Sequence, residues 1–234
     1  MTVDSKKELE LVTANCQLPT DWSVSSTSIV FIHGLWLTGV ESTLLRRRLA
    51  SELNCETHAF RYPSVTASMD EVLARLNEFL MGLASDALHL VGHSLGGIVV
   101  LRFLEQHRSI PPGRAVLLGA PLGGSRAAQG LARWPIGAAI LGRNIEAEVL
   151  HPPARRWDGR RDLGIVAGDL SLGLGRFFND LGGPNDGTVS VDETRLHGAT
   201  DQIVLPISHT GMLFSAEVAQ QTAKFLASGR FQHK

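Results

Sequence analysis

Short apolar runs alternate with longer amphipathic segments along most of this chain. The runs are typical of buried strands, and they are Ile29–Ile32, Thr57–Tyr62, Ala87–Val91, Ala115–Leu118, Leu163–Ala167 and Gln202–Ile207. The segments between them carry apolar residues at helical spacing, over residues 40–53, 68–83, 95–106 and 215–227. A weaker edge strand is expected at residues 10–16. This alternation predicts βαβ units and a mostly parallel sheet.

The pentapeptide Gly92-His93-Ser94-Leu95-Gly96 lies between a predicted strand and a predicted helix. A serine at such a turn is held in a strained conformation with its hydroxyl exposed, as in a nucleophile elbow. In a chain this rich in glycine, a Gly-x-Ser-x-Gly pattern arises by chance in roughly one sequence in ten. The stronger evidence for a nucleophile is therefore its position between a strand and a helix. Ser94 is therefore the predicted nucleophile.

A serine hydroxyl needs a neutral imidazole to take its proton, and a carboxylate to orient that imidazole. In elbow-type enzymes these residues follow in the order serine, acid, histidine. Of the nine histidines, this order leaves His197 and His209. His209 follows the last predicted strand, at the sheet edge where catalytic groups gather, whereas His197 precedes that strand. We therefore predict His209 as the base.

Several acids lie between the nucleophile and this histidine: Asp169, Asp180, Asp186, Asp192 and Glu193. Asp169 directly ends a predicted strand. Asp186 lies in the turn Asn185-Asp186-Gly187, a sequence that is also common in turns without any catalytic role. The residues themselves leave Asp169 and Asp186 open as the orienting acid.

The charge that develops on a substrate oxygen needs backbone N–H donors. One donor is expected from Leu95, which follows the nucleophile at a helix N-terminus. The other is expected from the loop after the first strand, with Leu35 favoured over Trp36. His33, in the same loop, is predicted to hold the loop in place rather than to react.

Four motifs resemble those of the α/β-hydrolase family, and within it the bacterial serine lipases and esterases. They are Phe31-Ile32-His33-Gly34-Leu35, Gly92-His93-Ser94-Leu95-Gly96-Gly97, Asn185-Asp186-Gly187-Thr188-Val189 and the His209 loop. The resemblance covers residues 28–228. It implies a mostly parallel sheet with helices on both faces and a cap insertion, which must be small in so short a chain.

The resemblance also selects among the acids. Related lipases carry the acid in an Asn-Asp-Gly turn about two dozen residues before the histidine, which favours Asp186. Larger relatives bind calcium through an aspartate where this chain has Gly211, so no metal site is carried over. Their disulfide is not supported by Cys16 and Cys55, and no cofactor is expected.

Residues 121–160 interrupt the alternation of strands and helices with a connection far longer than usual. One hypothesis is a helix packed on the outside of the sheet. The other is a small mobile cap over Ser94, with an apolar underside that lines an acyl pocket. Trp36 and Trp134 are the predicted substrate-binding side chains. We expect residues 1–234 to form one domain that includes this insertion.

Composition narrows the possible functions. The formal net charge of −1 gives no basic surface for nucleic acid, and no apolar stretch is long enough to span a membrane. The charged N-terminus lacks the apolar core of a secretory signal, so a cytoplasmic protein is expected. The favoured function is a serine ester hydrolase with a small-molecule ester or lipid-like substrate. The alternatives are an acyltransferase with the same residues and a ligand-binding protein that does no chemistry.

Overall fold

A computed structural model describes residues 26–134, 137, 141–142, 146–172 and 181–233. Six strands in these residues form one parallel sheet in the order β2-β1-β3-β4-β5-β6. The strands are β1 Thr27–Ile32, β2 Glu56–Phe60, β3 Ala87–His93, β4 Ala115–Leu118, β5 Leu163–Gly168 and β6 Asp201–Leu205. Each of the six main predicted strands is confirmed to within a few residues. The expected edge strand at residues 10–16 lies outside the described residues.

The four predicted helices are present, and a fifth, short helix lies in the segment 121–160. The helices are α1 Thr43–Leu53, α2 Met69–Met81, α3 Leu95–Gln106, α4 Arg126–Ala132 and α5 Ala216–Ser228. Ser68 begins α2 with a reciprocal cap: its hydroxyl accepts the Glu71 N–H at 3.4 Å, and the Glu71 carboxylate accepts the Ser68 N–H at 2.7 Å. Shorter turns are 3₁₀-helical at Val40–Ser42, Asp192–Thr194 and Thr210–Leu213, and π-helical at Glu146–Leu150.

Helices cover both faces of the sheet. On one face α2 and α3 pack against alternate strand residues such as Val30 and Leu90. On the other face α1 and α5 pack against the intervening residues, such as Phe31 and Val91. Because both faces are covered, every residue of β4 and β5 is buried, which explains their continuous apolar sequences.

Parallel order brings the carboxyl ends of all six strands to one edge of the sheet. The loops after β1, β3 and β6 therefore meet there, and they carry Leu35, Ser94 and His209. Within the described ranges, none of the helices has the length and apolar character that a membrane span requires.

Candidate active site

Ser94 occupies the sharp turn between β3 and α3. Its backbone angles, φ 54° and ψ −124°, lie in a region that residues with a side chain rarely adopt. The N–H of Ser94 donates to the Leu118 carbonyl of β4 at 2.9 Å, which holds the turn over the sheet edge. Strand and helix approach closely because Gly92 has no side chain: a Cβ there would lie 2.5 Å from the Gly96 carbonyl oxygen. The sequence thus builds the strained elbow that the Ser94 prediction requires.

His209 and Asp186 form a buried hydrogen-bonded pair. The Nδ1 atom of His209 lies 2.7 Å from Oδ2 of Asp186, and the two residues are 9% and 0% exposed. The other carboxylate oxygen accepts the N–H groups of Thr188 at 2.9 Å and Val189 at 2.7 Å. The backbone adds a further link, because the His209 N–H donates to the Asp186 carbonyl at 2.9 Å. A carboxylate satisfied on both oxygens keeps the Nδ1 proton in place and leaves Nε2 free to act as a base.

The competing residues lie elsewhere. Asp169 is exposed, and its N–H donates to the Leu205 carbonyl. Asp192 is exposed and pairs with Arg195 at 3.0 Å. His197 is exposed near the amino end of β6, in an isolated bridge with Arg156. The structure therefore brings Asp186, and not these acids, to His209.

The loop after β1 presents a backbone donor beside Ser94. Residues 34–37 form a tight turn, in which the Leu37 N–H donates to the Gly34 carbonyl at 3.4 Å and Trp36 has a φ of 61°. The Trp36 N–H donates to Oγ of Ser64 at 3.1 Å, so it is already engaged. The N–H groups of Leu35 and Leu95 have no acceptor among the described residues, and both residues border the same cavity as Ser94. Leu35 and Leu95 are the two residues whose N–H groups the sequence predicts as donors.

His33 holds this loop against the core. Its Nε2 accepts the Tyr62 N–H at 3.3 Å, so its proton is on Nδ1, which donates to the Gly34 carbonyl at 2.8 Å. The Tyr62 hydroxyl returns a hydrogen bond to the His33 carbonyl at 2.9 Å. Burial lowers the pKa of His33, which keeps the ring neutral. The holding role predicted for His33 agrees with these contacts.

A cavity of about 550 Å³ opens beside Ser94 and His209. Its described lining contains no Asp, Glu, Lys or Arg side chain. Most of the lining is apolar: Leu35, Trp36, Leu37, Leu95, Pro121, Ala127, Ala128, Leu131, Leu141, Val149, Leu172 and Val189. Six of these residues, Pro121 and the five from Ala127 to Val149, come from the segment 121–160, so that segment borders the cavity instead of packing only on the outer layer.

The two predicted substrate-binding tryptophans differ in position. Trp36 lies on the cavity rim and is largely exposed. Trp134 is 59% exposed and is not among the lining residues. It follows Arg133, the C-terminal cap of α4, whereas Leu131 one turn earlier faces the cavity. The interruptions in this segment gave no helical phase from which to choose between Leu131 and Trp134.

Ion pairs around Glu148 hold the part of the cavity wall that contains Val149. Glu148 lies 3.2 Å from Nε of Arg102 on α3, and it also forms an ion pair with Arg155. The neighbouring Val149 lines the cavity, and its carbonyl accepts the Ser125 N–H at 3.1 Å. The wall is thus tied to α3 and to the start of α4. The sequence offered no signal for the link to α3, because Arg102 lies 46 residues before Glu148.

No group of three or more His, Cys, Asp or Glu side chains within the described ranges is arranged to hold a metal ion. Cys55 is a half-buried free thiol, and Cys16 lies outside those ranges. The groups that meet at the cavity are the hydroxyl of Ser94, the hydrogen-bonded pair of His209 and Asp186, and the backbone N–H groups of Leu35 and Leu95. A hydroxyl, an imidazole oriented by a carboxylate, and two backbone donors are the kinds of group that nucleophilic catalysis by serine requires.

Known proteins show the same architecture. The alpha/beta hydrolase family matches residues 29–225, and this chain belongs to that family. Among proteins of curated function, none matches this sequence. Among solved structures, the mature lipase BlEst2 of Bacillus licheniformis is similar at 20% identity and a TM-score of 0.65, over 88% of this chain and 93% of that one.

Two other similar structures have related activities in their names. The metagenomic carboxyl esterase MGS0156 aligns at 18% identity and a TM-score of 0.59, over 80% of this chain and 65% of that one. The type II thioesterase BorB of the borrelidin biosynthetic cluster aligns at 14% identity and a TM-score of 0.61, over 87% and 92%. At these identities the likeness establishes the fold of the chain and not its substrate.

Proposed function

We propose that this chain is a serine carboxylic-ester hydrolase of the esterase or lipase type, acting through an acyl-enzyme on esters with an apolar acyl chain. The observation that carries the proposal is the 2.7 Å contact between His209 and Asp186. It supplies an oriented imidazole on the same cavity as the strained Ser94. A ligand-binding protein has no need of that combination.

In the proposed reaction, Oγ of Ser94 attacks the ester carbonyl carbon while Nε2 of His209 takes the hydroxyl proton. The carbonyl oxygen becomes an oxyanion that accepts the N–H groups of Leu35 and Leu95. The bond to the alcohol then breaks, and the alcohol leaves with the proton from His209. Water attacks the acyl-enzyme by the same route and releases the carboxylic acid and free Ser94. Asp186 stabilises the imidazolium in both steps.

The cavity supports the choice of an apolar, uncharged acyl group. Its volume of about 550 Å³ is within the range of small-molecule sites. A charged acyl chain would have to leave water for a lining whose described residues offer no opposite charge, and that desolvation is costly. In this proposal the segment around α4 and Val149 acts as a small cap over the acyl chain. Thioesters are a second substrate class to test, because the same attack cleaves them and BorB is a thioesterase of similar fold.

The test combines covalent labelling with substrate profiling. A fluorophosphonate probe should modify wild-type protein at Ser94, as located by peptide mass spectrometry, and should not modify Ser94→Ala. Ser125→Ala is the matched control, because Ser125 also lines the cavity but its hydroxyl already accepts the Ala128 N–H at 3.1 Å. This variant should still be labelled at Ser94. Turnover is then measured on 4-nitrophenyl esters of graded acyl length and on matching thioesters.

Ser94→Ala should lower kcat by about 10³-fold or more, with residual catalysis from the oxyanion donors. Near-normal turnover in purified Ser94→Ala would end the proposal. Labelling with acyl transfer to an added alcohol or amine, in preference to water, would indicate an acyltransferase instead. Absence of both labelling and turnover would favour the ligand-binding alternative.

A further inference from the structure

His93 contacts His209 from the position directly before the nucleophile. It is the last residue of β3 and is 2% exposed. Its Nε2 atom lies 3.1 Å from the backbone carbonyl oxygen of His209. The two imidazole rings also pack together, with centroids 4.7 Å apart and planes inclined at 45°. This contact joins the strand that carries Ser94 to the loop that carries His209.

The partner of Nε2 defines the protonation of His93. A carbonyl oxygen only accepts hydrogen bonds, so Nε2 carries the proton and donates it. Burial and the nearby His209 lower the pKa of His93 to about 3, and the ring is therefore neutral near neutral pH. A neutral ring at this position does not oppose a positive charge on His209, whereas a cation would.

The second nitrogen of His93 argues against a role in packing alone. Nδ1 is buried and has no hydrogen-bond partner among the described residues. It faces the loop after β1, where a Cβ built on Gly34 would lie 3.4 Å from it. An unsatisfied buried nitrogen costs free energy that an apolar side chain of the same size would not. The Nε2–H bond is the feature of His93 that an apolar residue could not supply.

The other hydrogen bonds of His209 do not reach the nucleophile strand. Its backbone N–H and its Nδ1 both bind Asp186, which belongs to a separate turn. Within the described part of the chain, the bond from His93 is the direct hydrogen bond between His209 and β3. Without that bond, His209 and Asp186 could move together relative to Ser94 and still keep their own contact.

We propose that His93 is a positioning residue, whose Nε2–H bond and ring contact hold the imidazole of His209 at the distance from Ser94 that proton transfer requires. The inference rests on the proposed function, in which His209 is the base. It predicts that the hydrogen-bond donor at position 93 matters more than the volume of the side chain. A shift of about 1 Å in a reacting group can cost about 10²-fold in rate.

Three variants separate donor, volume and general stability. His93→Gln keeps an N–H donor, His93→Leu keeps a similar apolar volume without a donor, and His89→Leu is the matched control. His89 is another buried histidine of β3, and its Nδ1 accepts the Arg114 N–H at 2.9 Å away from the site. We expect His93→Leu to lower kcat about 10- to 100-fold with KM within about 3-fold. His93→Gln and folded His89→Leu should stay within about 3-fold of the wild-type kcat.

A second readout does not depend on turnover. The proton between Nδ1 of His209 and Asp186 should give a low-field proton NMR resonance, assigned by its loss in Asp186→Asn. We expect His93→Leu to broaden this resonance through faster exchange with water, because the ring is no longer held. His93→Gln should leave its width unchanged.

The outcomes separate this inference from the proposed function. Normal activity of Ser94→Ala would defeat the proposed function, whereas the NMR comparison would still judge the positioning of His209. Wild-type kcat and resonance in His93→Leu would overturn the inference, and so would equal losses in the Leu and Gln variants or in His89→Leu. If His93→Leu does not fold, His93→Gln decides, and a kcat below about a tenth of wild type overturns the inference.

Discussion

Replacing Asp186 by asparagine tests the orientation of the base with very little change in shape. In the wild type, Oδ1 accepts two backbone N–H groups at 2.9 and 2.7 Å, and Oδ2 faces Nδ1 of His209 at 2.7 Å. The asparagine side chain has one oxygen and one NH₂ group to place in these two positions. Its oxygen will take the side with two donors, because an NH₂ group there would face two N–H groups in a fully buried site.

This choice leaves the asparagine NH₂ facing Nδ1 of His209. Nδ1 must then accept, so the proton of a neutral ring moves to Nε2, and Nε2 can no longer take the proton of Ser94. If the proposed function is correct, we therefore expect kcat/KM to fall by about 10³- to 10⁴-fold, as the wrong tautomer does in serine proteases. That loss corresponds to about 4–5.5 kcal/mol of transition-state stabilisation. The fold should persist, because the two backbone hydrogen bonds to Oδ1 are retained.

The assay is kcat/KM on a 4-nitrophenyl ester beside a thermal melt of each protein. Asp169→Asn and Asp192→Asn are the controls, since both residues are exposed and neither contacts His209. They should remain within about 2-fold of the wild type. A larger loss of kcat/KM in Asp169→Asn than in Asp186→Asn, with both variants folded, would show that Asp186 does not orient the base.

Two further changes probe the pocket and the space around His209 and Asp186. Leu131→Ala should change the preference between short and medium acyl chains about 5-fold or more, whereas Trp134→Ala should change it less than about 2-fold, because Leu131 lines the cavity and Trp134 does not. A larger change of the kcat/KM ratio in Trp134→Ala than in Leu131→Ala would contradict the assignment of Leu131 to the pocket. Gly119→Ala should lower kcat about 10-fold, because its Cβ would lie 3.1 Å from both Oδ2 of Asp186 and Nδ1 of His209. An unchanged kcat in the folded variant would refute the claim that the pair needs this space.

The sequence predicted the elements whose signals are local. The strands are short and apolar because both faces of the sheet are covered, and α3 has the bounds expected from the motif around Ser94. The prediction that His209 and Asp186 form a pair depends on two arguments that are not local, namely the order of the residues along the chain and the resemblance to lipases. Residues alone left Asp169 open, because ending a strand at the correct edge does not define the direction in which a side chain points.

The cavity wall illustrates what the sequence could not provide. Segment 121–160 is apolar without a clear helical period, so its pattern favours the large aromatic side chain of Trp134 for the pocket but does not define which side chains face Ser94. The orientation of α4 depends instead on contacts with residues outside it, such as the hydrogen bond from the Ser125 N–H to the Val149 carbonyl, and the neighbouring Glu148 pairs with Arg102 on α3. These contacts direct Leu131 and not Trp134 toward Ser94. The contact between His93 and His209 could not be predicted for the same reason, because the two residues are distant in sequence.

The order of the strands also explains why glycines surround the candidate pair. Two strands, β4 and β5, lie between the strand of Ser94 and the strand that precedes His209. At about 4.8 Å per strand, the loop after β6 must reach back roughly 14 Å across the strand ends. Gly119, after β4, and Gly168, at the end of β5, lie on that path, and a Cβ on Gly168 would lie 2.8 Å from Cβ of Asp186. The absence of these two side chains gives His209 and Asp186 the space to approach Ser94, so the site depends on residues that perform no chemistry.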